Sequence, residues 1–126
     1  MGEKDFQMEK TDVINIFHLN YPERSGLRDI IAELTNNYPI IKKAILYGSK
    51  ARGNFLENSD IDLLLITEGN ISMQMKHQIF DIVYKYELLN DIVVSVILVS
   101  EADFENKLNT LFMKIRKEGI ILWSSE

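Results

Sequence analysis

Cysteine is absent from this 126-residue chain, so neither a disulfide framework nor a thiolate zinc site can be built from it. Histidine is scarce: His77 falls on the polar side of its predicted helix and His18 in a segment of ambiguous pattern, so neither reads as a metal ligand or general base. An excess of positive charge is also missing. The 14 Lys and Arg stand against 19 Asp and Glu, a net charge of -5, whereas neutralising nucleic-acid phosphates would need clustered cations. Nucleic acid is therefore not an expected partner. No apolar run approaches the roughly eighteen residues that span a bilayer, and the start Met1-Gly2-Glu3-Lys4-Asp5 has no apolar signal core. A cytoplasmic protein with no membrane partner is expected.

What is present suffices for a single core, with 46% hydrophobic residues in a chain of one-domain length. Residues 1–24 are expected to form a partly disordered N-terminal segment ahead of a domain over 25–126. From Ser25, read as an N-cap, Leu27, Ile30, Ile31 and Leu34 repeat with the i, i+3, i+4, i+7 spacing of a helix with one buried stripe, ended by Pro39. Ile40–Tyr47 and Asp60–Thr67 read as central strands, the second carrying the uniformly apolar Leu63, Leu64 and Leu65. Met75, Ile79, Ile82, Val83 and Tyr86 line one face of a following helix, and Ile92–Val99 has the Val and Ile content of a third strand. Ser100 to Asp103 has the form of a capping box, opening a last helix with Phe104, Leu108, Leu111, Phe112 and Ile115 inward and Gly119 at its end. Ile120–Trp123 reads as a short edge strand. The expected fold is α/β (α+β): a small mixed sheet with helices on one face.

The chemistry concentrates in Tyr47-Gly48-Ser49-Lys50-Ala51-Arg52-Gly53 and Ser59-Asp60-Ile61-Asp62. A strand ending at Tyr47 would turn at Gly48-Ser49 into a short helix whose first N–H groups suit phosphate, and a side chain at Gly48 would hold phosphate away. Strand alternation points Asp60 and Asp62 to one face, with α-carbons about 6.6 Å apart. Two such carboxylates can share hard divalent cations.

These residues resemble the signature of the polymerase-β-type nucleotidyltransferase superfamily, which is Gly-Ser, a spacer of about ten residues, then Asp-apolar-Asp-apolar. Within it the chain is most similar to the minimal nucleotidyltransferases, which carry Gly-Ser-x-Ala-Arg-Gly and Ser-Asp-Ile-Asp-Leu nearly as written here. The resemblance implies a polymerase-β-like nucleotidyltransferase fold and transfer of a nucleoside monophosphate, AMP by expectation, from an NTP to a hydroxyl. It implies two Mg2+ ions on Asp60 and Asp62, the catalytic pair, with Gly48, Ser49, Lys50, Arg52 and Ser59 toward the nucleotide. Similar proteins act as antitoxins of HEPN-type toxins, so a HEPN-type protein is the implied partner, and an edge strand leaves room for a homodimer.

The chain departs from the pattern at the third carboxylate, where alignment from the following helix puts Ser95. Asp91 would lie about 13 Å back along the strand, leaving Glu57 or Glu68 to supply an acid. The alternative function is a catalytically weak or inactive nucleotide-binding antitoxin or sensor. A small-molecule modifier of the aminoglycoside nucleotidyltransferase kind normally needs a further domain, and the length counts against it.

Overall fold

The computed structural model describes residues 18–53 and 59–126, so most of the N-terminal segment and Glu57 lie outside the described residues. The first helix among the described residues, α1 (Tyr21–Asn37), is capped by Asn20 instead of Ser25. Asn20 Oδ1 accepts from the Glu23 N–H at 2.9 Å, and Glu23 Oε1 accepts from the Asn20 N–H at 2.9 Å. This reciprocal cap satisfies two orphan donors, which Ser25, inside the helix, has no need to do. The expected stripe of Leu27, Ile30, Ile31 and Leu34 is buried, and Leu19 joins the same core.

The remaining elements are β1 (Ile41–Tyr47), α2 (Ser49–Arg52), β2 (Ile61–Thr67), α3 (Met73–Asn90), β3 (Val94–Ser100), α4 (Glu101–Phe104), α5 (Thr110–Glu118) and β4 (Ile120–Ser124). The sheet runs β3-β2-β1-β4, with β1 antiparallel to both neighbours and β2 parallel to β3. A parallel pair needs a crossover, and α3 supplies it. The expected mixed sheet is thus found, with β1 and β2 central and β4 at an edge.

Alternation along the strands divides the core in two. Ala44, Leu46, Ile61, Leu63 and Leu65 face α1 and α3, while Ile45, Leu64, Ile66 and Val99 pack on the other side with Phe104 and Ile115. The long helices lie on one face as expected, and the short α4 and α5 add partial cover to the other. They are two helices where one was expected. Asn106 Oδ1 accepts from the Leu108 N–H at 2.9 Å and Asn109 Oδ1 from the Phe112 N–H at 3.0 Å, so side chains that compete with the helix break it and cap a new one. Leu108, expected inside, is 90% exposed in that break. No helix among the described residues is long and apolar enough to cross a membrane.

Candidate active site

Gly48 ends β1 with φ 78° and ψ -158°, a backbone region open in practice only to glycine. Space dictates the same residue. A Cβ built there would stand 2.2 Å from Asp62 Oδ2, so the backbone of the turn lies directly against the carboxylate. The turn leads into α2, where the Ala51 and Arg52 amides bond the Gly48 carbonyl at 3.1 Å each, so the donors at its head are those of Ser49 and Lys50. Gly53, at φ 84°, closes the turn with its N–H on the Ser49 carbonyl at 2.8 Å.

Asp60 precedes β2 and is exposed; Asp62 is the second residue of that strand and half-buried. Burial holds the Asp62 carboxyl above its usual range, the charge of Asp60 adds to this, and Arg52 opposes it. Tyr47, paired with Asp62 across the antiparallel ladder, is pushed up by burial and by the Asp62 charge. Gly48, Arg52, Asp60 and Asp62 therefore form one neighbourhood, with Ser49 at the head of α2 and the half-buried Ser59 leading into Asp60.

Lys50 does not join them. Its side chain is 1% exposed, and its Nζ lies 2.8 Å from Glu23 Oε2, the oxygen that the α1 capping box leaves available. An ammonium committed to a buried carboxylate is poorly placed for a triphosphate, so the Lys50 side chain ties α1 to α2 and only its backbone N–H faces the head of the turn.

Ser95, the position at which the resemblance leads one to expect a third acid, stands opposite Asp62 in the parallel ladder. Glu68 is not its substitute. It follows the far end of β2, about 20 Å from Asp62 by strand rise, and faces Lys42 at 3.6 Å. Asp91 is the left-handed cap of α3, with φ 55°. No group of three His, Cys, Asp or Glu side chains that could hold a metal ion occurs among the described residues.

A cavity of about 140 Å³ opens beside the turn, bordered by Tyr47, Gly48, Arg52, Leu111, Lys114, Ile115 and Glu118. Arg52 Nη1 lies 3.7 Å from Glu118 Oε1 across it. Lys114 and Glu118 escaped sequence reasoning, their only signal being polar positions one turn apart beside the apolar stripe of α5. A larger cavity, about 290 Å³, lies at the other end of β2 between Thr67, Asn70, Lys76, Ser100 and Asp103, remote from the acid pair.

The polymerase beta nucleotidyltransferase domain matches residues 29–126. A candidate protein adenylyltransferase of Methanocaldococcus jannaschii is 33% identical over 103 residues, covering 80% of this chain and 98% of that protein. A Sulfolobus solfataricus structure, a candidate nucleotidyltransferase, aligns with a TM-score of 0.56 at 21% identity over 99% of this chain and 91% of its own. A chain from a Shewanella oneidensis complex of a tri-AMPylated HEPN toxin with an MNT antitoxin aligns with a TM-score of 0.51 at 19% identity, covering 81% of this chain and 72% of that one. These two structures speak for the fold, and the sequence matches speak for descent: the chain belongs to the polymerase beta nucleotidyltransferase family and is a nucleotidyltransferase.

Proposed function

We propose that the chain binds a nucleoside triphosphate with magnesium between the Gly48-Ser49 turn and the Asp60–Asp62 pair, and transfers AMP to a hydroxyl of a HEPN-type partner as the antitoxin of that pair. The observation that carries it is the contact of the Gly48 backbone with the Asp62 carboxylate, which a single methyl group would fill. That contact supports the reading, because it sets the turn directly beside one of the two acids. The donor set suits magnesium, because both acids offer hard oxygens, and burial and then the charge of Asp60 already disfavour ionised Asp62 in the absence of a cation.

Asp60 and Asp62 would hold the metal, which when bound neutralises charge gathering on the α-phosphoryl group and the departing pyrophosphate. Ser49 offers its hydroxyl and N–H to the phosphates, Gly48 allows their approach, and Arg52 offers a planar fork of donors. The acceptor oxygen bonds to the α-phosphorus as the bond to pyrophosphate breaks. Among the described residues, Ser95 in place of a carboxylate leaves the hydroxyl proton to solvent or to the partner. Adenylyl transfer is favoured as the activity by the M. jannaschii relative, and a HEPN-type acceptor by the AMPylated toxin in the Shewanella complex.

Ser95 favours a second reading, a nucleotide-binding antitoxin that acts by occupying its partner with little or no turnover. Incubation with labelled ATP and magnesium, with and without the HEPN-type partner, separates the two. Label on the partner, lost when Asp60 and Asp62 are both changed to Asn, supports transfer. Tight association without label supports the blocking role, and transfer that survives the double change would overturn the site.

A further inference from the structure

We infer that Lys114, on α5, is a polyphosphate-binding residue of the nucleotide site, filling the role that the motif alone gives to Lys50. The inference rests on the nucleotide-binding reading above and adds to it a residue outside the motif. The cavity beside Gly48 is bordered by two cations, Arg52 and Lys114, and one anion, Glu118. A triphosphate brings several negative charges to a place where Asp60 and Asp62 already stand, so it needs cations beyond magnesium. Lys50 cannot serve, being buried on Glu23 at 2.8 Å. Arg52 is partly offset by Glu118 at 3.7 Å. Lys114 is exposed and has no ion-pair partner among the described residues.

The helix that carries it is fixed in place. Ile115 is 2% exposed in the core next to Ile45, and the Gly119 N–H caps α5 on the Ile115 carbonyl at 2.7 Å. A Cβ at Gly119 would come within 2.6 Å of Ile45 Cγ2, so the close of α5 abuts β1. Lys114 thus stands at a set position beside the turn, with a flexible stem and a point charge suited to phosphate oxygens.

Calorimetric titration of the whole chain with MgATP, pyrophosphate and AMP tests this, using Lys114→Met, Lys114→Arg and, as a control for net charge, Lys117→Met. Lys114→Met should weaken MgATP and pyrophosphate roughly tenfold, the size of a lost charge-assisted contact. AMP binding should stay within about threefold of the unsubstituted chain, Lys114→Arg should recover MgATP, and Lys117→Met should bind as the unsubstituted chain does. Unchanged MgATP affinity in Lys114→Met overturns the inference, as does an equal loss of AMP and MgATP, the mark of a structural defect. If the unsubstituted chain binds neither MgATP nor pyrophosphate, the nucleotide reading itself falls and takes this inference with it.

Discussion

Asp62 and Ser95 are direct partners across the parallel β2–β3 ladder, which puts their side chains on the same face of the sheet. A carboxylate in place of Ser95 would sit beside Asp62, where on the proposed reading it could reach the metal and an attacking hydroxyl. Ser95→Asp is therefore expected to raise adenylyl transfer, by at most the roughly 10²–10⁴-fold effect of a positioned general base. Ser95→Asn, of the same shape without the charge, should leave transfer where it is. Transfer rates of the three proteins with one partner protein check this, and equal rates for the unsubstituted chain and Ser95→Asp would mean that the proton leaves by another route.

Gly48→Ala should fail on two counts. The backbone at φ 78° and ψ -158° excludes a side chain, and the new methyl would collide with Asp62 Oδ2. A loss of about 1–3 kcal/mol is expected from the strained backbone, together with loss of MgATP binding because the turn and the carboxylate are forced apart. Denaturant unfolding and calorimetry on the same sample report the two effects separately. Native affinity in Gly48→Ala would show that the contact is incidental.

The Glu23–Lys50 pair gives a third expectation. With side chains 9% and 1% exposed, removing one partner leaves a buried charge without its counterion. Lys50→Met should cost about 3–5 kcal/mol, whereas Glu23→Met with Lys50→Met should cost less than Lys50→Met alone. Glu23 also accepts from the Asn20 N–H, so part of the loss on its side is a lost cap, about 1 kcal/mol. Urea unfolding of the two single variants and the double variant measures the coupling. Additive losses would mean that the two charges do not depend on each other.

Why some of this was legible in the sequence and some was not follows from range. Gly48, Ser49, Asp60 and Asp62 announce themselves through local geometry: a strand end, a turn and an alternating pair. The uniform run Leu63-Leu64-Leu65 likewise marked a strand buried on both faces, which the division of the core confirms. The burial of Lys50 was illegible, because it is decided by Glu23 on another helix and by an N-cap at Asn20, well ahead of the one Ser25 suggested. Lys114 was hidden for the same reason: only the folded chain brings α5 beside the turn. The break before α5 could have been read from Asn106 and Asn109, whose side chains cap in preference to continuing a helix.

The titration of Asp62 yields the last prediction. Its carboxyl is held above the ordinary value of 3.8 by burial first and by Asp60 second, against the pull of Arg52. The folded chain thus favours neutral Asp62 more than the unfolded chain does. The associated stability is fully present below the ordinary aspartate range and is lost as pH rises through the folded value. Without divalent cations, Asp62→Asn is expected to be more stable than the unsubstituted chain at neutral pH, and the gap should close on acidification. On the proposed reading magnesium should reverse the ranking, because it would stabilise the ionised pair and find no comparable site on the amide. Thermal melts of both proteins across pH, with and without magnesium, check the sign: if Asp62→Asn is the less stable of the two at neutral pH in the absence of metal, the penalty that burial and Asp60 place on ionised Asp62 is contradicted.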